Sequence, residues 1–172
     1  MSAQVIGTLL LEKNFTLTTA ESCTAGLLST LIVEVSGASD WFLGGWVTYS
    51  NAMKVSQLGV TQFALEEHGA VSAEVAAAMV RGASKASGSH VALSITGIAG
   101  PTGGSVEKPI GTVFIGCKVQ EDVQVREFRF SGTRSEIQTL AAQTALEMLR
   151  LQLTAEQTDA MCCQLGEVIR AD

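Results

Sequence analysis

The run Thr18-Thr19-Ala20-Glu21-Ser22-Cys23-Thr24-Ala25-Gly26 follows an apolar, β-leaning segment, Phe15 to Thr19, and opens a long apolar segment, Leu27 to Val35. A small hydroxyl residue at such a strand-to-helix junction lies near free backbone N–H groups. There the positive end of the helix dipole stabilises negative charge. The position suits a nucleophilic serine or an anion site, and it equally suits a plain N-cap at Ser22 or Thr19. Cys23 reads either as a nucleophile in its own right or as a small buried apolar residue.

A serine nucleophile needs a base. The two histidines, His68 and His90, sit in no motif and read as structural or surface residues. Lysine is the known alternative. It must be neutral to accept a proton, and burial or nearby positive charge lowers its pKa enough for that. Most lysines are solvated surface charges. Lys54 differs because it follows Thr48-Tyr49-Ser50-Asn51, a polar cluster behind Gly44-Gly45-Trp46-Val47. Tyr49 reads as a hydroxyl that assists the pair or as a core aromatic. In Ser94-Ile95-Thr96-Gly97-Ile98-Ala99-Gly100-Pro101-Thr102-Gly103-Gly104, glycines after an apolar strand let backbone approach a ligand closely. The loop is neither a Walker A loop nor a dinucleotide fingerprint. Arg134 follows Gly132 in the first turn of an expected helix, where a guanidinium beside free N–H groups makes a phosphate site. The alternative is a solvated arginine on a helix end.

Together, in this order and spacing, these segments and Lys108-Pro109-Ile110-Gly111-Thr112-Val113 resemble the nicotinamide-nucleotide amidase family, also known as the C-terminal domain of the CinA competence/damage-inducible proteins. The resemblance covers roughly Val5 to Leu151. It implies conversion of nicotinamide mononucleotide to nicotinic acid mononucleotide and ammonia, in pyridine nucleotide recycling. It implies Ser22 as nucleophile, Lys54 as general base and Tyr49 as their helper. It places Thr19, Glu21, Cys23, Thr24, Asn51, Thr96, Gly97, Ala99 and Gly100 around the nucleotide, with Arg134 on its phosphate. No metal and no organic cofactor is implied. The family commonly has Gly-Asp-Arg followed by a second arginine four residues on; here Thr133 and Gln138 stand at the departing positions. The other reading these departures keep open is a catalytically weak module that binds pyridine nucleotides or serves a partner protein. Many relatives carry a further N-terminal domain resembling molybdopterin-binding folds, and this sequence resembles the stand-alone form.

The elements that must position these residues follow from pattern. A chain of 172 residues, 47% hydrophobic and 16% charged, suits one folded domain with a real core. A net charge of −6 argues against a general nucleic-acid binder. No apolar run reaches the ~18 residues that span a bilayer, and Met1-Ser2-Ala3-Gln4 has no positively charged leader region. A cytoplasmic location is expected. Cys23, Cys117, Cys162 and Cys163 lack zinc spacing and read as free thiols.

Helices are expected over Ser2 to Lys13, with Val5 and Leu9 on one face, and over Cys23 to Val35, ended by Gly37. Asn51 to Leu58 is a helix closed by Gly59. Another begins behind the cap Ser72 and buries Val75, Ala76, Met79, Val80 and Ala83. A last helix opens at the capping box Thr133-Arg134-Ser135-Glu136 and turns Ile137, Leu140, Ala141, Thr144, Met148 and Leu151 inward. Strands are expected over Phe15 to Ala20, Trp46 to Tyr49 and Val91 to Ile95, with a hairpin of Thr112 to Val119 and Val123 to Phe130. The sum is a single-domain α/β sandwich with a mixed parallel and antiparallel sheet covered by helices. Residues 1–154 form the amidase-like domain. Residues 155–172 form a tail, either a short extra helix or a disordered end. Trp41-Phe42 and Trp46 would suit a homo-oligomer.

Overall fold

The computed structural model describes residues 3–154 and 168–170. In chain order it runs α1 (Ala3–Lys13), β1 (Leu17–Glu21), α2 (Leu27–Val33), a 3-10 turn (Ala38–Asp40), β2 (Phe42–Val47), α3 (Asn51–Leu58), α4 (Gln62–His68), α5 (Ala73–Ser87), β3 (Val91–Gly97), β4 (Thr112–Val119), β5 (Asp122–Arg129), α6 (Arg134–Thr154) and β6 (Val168–Arg170). The six strands form one sheet in the order β2-β1-β3-β4-β5-β6. β1 pairs parallel with both β2 and β3, and the pairs from β3 outward are antiparallel. The expected α/β sandwich with a mixed sheet is what forms.

The central strands β1, β3 and β4 are buried along most of their length because both their faces are covered. Leu17, Leu93, Ile95 and Ile115 pack against α1, α2 and α6, with Ile6, Leu28, Ile32 and Leu149 fully buried there. On the opposite face Ala20 packs against Val75, Met79 and Ala83 of α5 and Leu58 of α3. A Cβ at Gly82 of α5 would collide with the carbonyl of Leu58. That glycine lets α5 press against the end of α3, the helix that carries Lys54.

Local signals held where they were strong. α3 spans Asn51–Leu58 and ends at Gly59 in the left-handed conformation (φ 67°). Ser72 caps α5 by accepting the Val75 N–H at 3.3 Å, and the expected α5 face is buried. The capping box closes in both directions. Glu136 accepts the Thr133 N–H at 2.7 Å, and Thr133 Oγ1 accepts the Glu136 N–H at 3.4 Å.

Other expectations need correction. α1 buries Ala3, Ile6, Gly7 and Leu10, whereas Val5 is exposed. Val5 lies one position back from the buried Ile6, about 100° around the helix, while Leu9 is partly buried and packs against the core. α2 begins at Leu27 rather than Cys23, since Ala25 (φ 52°) and Gly26 (φ 102°) are left-handed. α2 also ends before Gly37, which opens the 3-10 turn instead. β2 runs over Phe42–Val47, ahead of the expected Trp46 to Tyr49. α4 was not anticipated; Thr61 caps it by accepting the Ala64 N–H. Leu140 of α6 faces solvent, while the other five residues of its expected inner face are buried.

Trp41 is 1% exposed and Trp46 is partly buried against the α5 side of the core. Phe42, like Trp46, keeps part of its surface exposed. Of the expected tail, Val168–Arg170 forms an edge strand antiparallel to β5; the readings of residues 155–167 and 171–172, like those of Cys162 and Cys163, lie outside the described residues. Among the described residues no helix is long and apolar enough to cross a membrane.

Candidate active site

The three parallel strands end together. Loops that leave the carboxyl ends of adjacent parallel strands gather in one crevice, the usual place for a ligand in an open α/β sheet. The ladder runs on past the strands: the Ser22 N–H donates to the Ile95 carbonyl at 2.9 Å, and the Thr48 N–H to the Glu21 carbonyl at 2.8 Å. Strand alternation then sorts the side chains. Thr19 and Glu21 turn toward α2, while Ala20 and then Ser22 turn toward α5 and α3.

Glu21 is fully buried, and its carboxylate accepts the N–H groups of Gly26, Leu28 and Ser29 at 2.9–3.0 Å and the Ser29 hydroxyl at 2.7 Å. It occupies the N-terminus of α2, so neither Ser22 nor Thr19 is the cap. Thr19 Oγ1 bonds Ser29 Oγ at 2.8 Å, and Thr24 is buried with no partner for its hydroxyl. Thr19, Glu21 and Thr24, expected beside the ligand, do not line the cleft. Glu21→Ala leaves three N–H groups and one hydroxyl without their acceptor. It is expected to destabilise the protein by about 2–4 kcal/mol, read as a lower midpoint in urea unfolding at unchanged slope.

Lys54 sits in the first turn of α3, which Ser50 caps by accepting the Met53 N–H at 3.2 Å. Its side chain is 1% exposed, and its Nζ lies 3.0 Å from Ser22 Oγ and donates to the Thr48 carbonyl at 2.8 Å and the Tyr49 carbonyl at 3.5 Å. Burial lowers its pKa from the ordinary lysine value. Two carbonyls can hold two N–H bonds of a neutral amine, whose lone pair then meets the Ser22 hydroxyl. The neighbouring Cys23 is also buried, and its thiol is pushed up to about 12, so it stays protonated and weakly nucleophilic.

The cleft encloses about 300 Å³. Ser22, Cys23, Tyr49, Asn51 and Lys54 line one side; Thr96, Gly97, Ala99 and Gly100 line another. Thr96 donates its hydroxyl to the Ala70 carbonyl at 2.7 Å, which draws Ala70 into the wall. Arg134 closes the mouth, donating from Nη1 to the Gly100 carbonyl at 2.7 Å and from Nη2 to the Tyr49 hydroxyl at 3.2 Å. Tyr49 is 61% exposed and is no core aromatic; its carbonyl, not its hydroxyl, approaches Lys54. No Asp or Glu is among the described lining residues, so Arg134 faces the cleft without a competing carboxylate.

Ala70 and Val71 were missed as wall residues, and nothing local in the sequence marks them. Lys108 Nζ donates to the Val71 carbonyl at 2.7 Å and the His68 carbonyl at 2.9 Å, tying this wall to the segment that follows the glycine-rich loop. The histidines stand apart from the cleft, as expected. His90 takes the Thr16 N–H and stacks on Phe15, and His68 lies 3.9 Å from Glu74. One residue outside the expected set reaches the site from behind: Gln138 of α6 donates to the Cys23 carbonyl at 2.6 Å.

The molecule is thus an α/β sandwich with a polar cleft at the ends of its parallel strands, floored by a buried serine–lysine hydrogen bond. The family model described as the CinA C-terminal domain matches residues 1–153, and the chain belongs to that family. A CinA-like protein of Geotalea daltonii is 52% identical over 151 residues, which cover 88% of this chain and 37% of that protein. The chain spans little more than a third of the length of the curated relatives it matches. The crystal structure of competence/damage inducible protein CihA from Agrobacterium tumefaciens superposes with a TM-score of 0.85 at 40% identity, over 88% of this chain and 93% of that one. A CinA superfamily protein from Klebsiella pneumoniae gives a TM-score of 0.86 at 29% identity, over 89% and 96%.

Proposed function

We propose that the chain is an amidohydrolase that converts nicotinamide mononucleotide and water to nicotinic acid mononucleotide and ammonia, in pyridine nucleotide recycling. The observation that carries this reading is the buried Lys54 Nζ at 3.0 Å from Ser22 Oγ. Ser22 Oγ attacks the carboxamide carbon as its proton passes to Lys54 Nζ. The ammonium so formed gives that proton to the departing amino group, and ammonia leaves an acyl-enzyme on Ser22. Water then attacks the acyl carbon with Lys54 as base, the proton taken by Lys54 returns to Ser22 Oγ, and the acid product departs and gives its remaining proton to solvent.

The developing oxyanion needs fixed donors. The Ser22 N–H is bound to the Ile95 carbonyl, and the N–H groups of Ala25, Gly26 and Leu27 are bound to Ser22, Glu21 and Thr24, which leaves those of Cys23 and Thr24 and of the glycine-rich loop for this task. Arg134 at the mouth, in the first turn of α6, is assigned to the phosphate. Ammonia release from nicotinamide mononucleotide by the purified protein tests the reading, with Ser22→Ala as control; no release above that control would sink it.

Arg134→Ala is expected to raise KM for the mononucleotide by about 10- to 100-fold, the worth of one charge-assisted contact. A phosphate contact is shared by ground and transition states, so kcat should hold. Turnover of nicotinamide riboside, which has no phosphate, should barely change. Equal losses on both substrates would make Arg134 a structural bridge between Gly100 and Tyr49 only.

A further inference from the structure

Residues 22–26 are an irregular turn. Its backbone bonds run from the Ala25 N–H to the Ser22 carbonyl at 3.2 Å and from the Leu27 N–H to the Thr24 carbonyl at 3.1 Å. The carbonyl between them, that of Cys23, is held from outside the turn by Gln138 Nε2 at 2.6 Å. Gln138 lies one helical turn beyond Arg134 on the same face of α6. The two side chains therefore work as a pair: one ties α6 to the glycine-rich loop and Tyr49, the other ties it to the turn that carries Ser22. Gln138 does not line the cleft.

The peptide plane explains why this tie matters. The Cys23 carbonyl and the Thr24 N–H belong to one rigid, planar unit and point in opposite directions. Fixing the carbonyl fixes the N–H. It also fixes the main chain next to Ser22, in a turn where Ala25 and Gly26 both take left-handed conformations. We propose that Gln138 is a positioning residue: its amide locks the Cys23–Thr24 peptide so that Ser22 Oγ stays against Lys54 and the adjacent N–H keeps one orientation. This inference rests on the serine–lysine reading above.

The test measures steady-state turnover of nicotinamide mononucleotide together with amide hydrogen exchange of the peptide spanning residues 22–26. Gln138→Ala is expected to lower kcat by about 10- to 100-fold, as loss of alignment at a reacting centre does, with KM within about 3-fold of wild type. Gln138→Glu, equal in shape but a carboxylate facing a carbonyl, should lose as much. Gln138→Arg, which keeps a donor at the position, should recover most of the rate. Exchange in the 22–26 peptide should quicken at least several-fold in Gln138→Ala and Gln138→Glu, with thermal stability and exchange elsewhere little changed. Unchanged kcat in an active Gln138→Ala enzyme overturns the inference alone. So does a rise in KM at constant kcat, or a general loosening that accounts for the lost rate. A wild-type protein that releases no ammonia overturns the amidase reading and this inference with it.

Discussion

Ser22→Ala is expected to lower the rate of ammonia release by on the order of 10⁴-fold or more, the scale on which loss of a nucleophile is felt. The fold should survive. Its backbone N–H, which the substitution keeps, makes the bond to Ile95, and α2 is capped by Glu21 rather than by the Ser22 hydroxyl. What is lost is the hydrogen bond to Lys54 Nζ, so unfolding stability should fall by no more than ~1 kcal/mol. Nucleotide binding should persist, because Arg134 and the glycine-rich loop are untouched. Cys23→Ala is the necessary companion. Its thiol is buried and held protonated, so most of the activity should remain after its removal. A dead Cys23→Ala enzyme beside an active Ser22→Ala enzyme would reverse the assignment.

Parts of the fold were legible from local signals. The uncharged run Val91 to Ile95 became a central strand buried on both faces, and the caps at Ser72 and Thr133 formed as their spacing implies. The region around α2 was not legible, because its cap comes from Glu21, at the end of a strand and across two left-handed residues. A reading that places the cap directly before the apolar run finds Ser22 instead. Strand alternation held the missing clue: period two sends Glu21 and Ser22 to opposite faces, so they cannot share one task.

The site was legible in its parts and hidden in its assembly. Ser22, Lys54, the glycine-rich loop and Arg134 are separated widely in the chain, and the resemblance alone joined them. Their meeting depends on the order β2-β1-β3, which sets three strand ends side by side. No periodicity in the sequence encodes that order. Gln138 marks the limit in another way. The sequence presents it only as a departure from a family pattern, whereas its bond to Cys23 is a product of how α6 crosses the sheet. Ala70 and Val71 enter the wall through bonds from Thr96 and Lys108, long-range contacts that leave no local trace.

Lys54 carries the sharpest expectation, because its role requires a protonation state that an exposed lysine lacks at neutral pH. Burial disfavours the ammonium and lowers its pKa from the ordinary value of 10.5. The active form is the neutral amine, so kcat should rise with pH along an acid limb whose midpoint lies below 10.5. The same shift appears in stability. Between the lowered value and 10.5 the unfolded chain binds the proton that the folded chain has released, so stability rises with pH across that window. Lys54→Met should lack this part of the slope. It should also be inactive by on the order of 10³-fold or more while still binding the nucleotide. Lys54→Arg should be as inactive, although it keeps nitrogen donors beside Ser22, because a guanidinium does not surrender its proton in this range. An active Lys54→Arg enzyme, or an acid limb that stays in place when Lys54 is replaced, would leave Ser22 without its base and remove the serine–lysine mechanism.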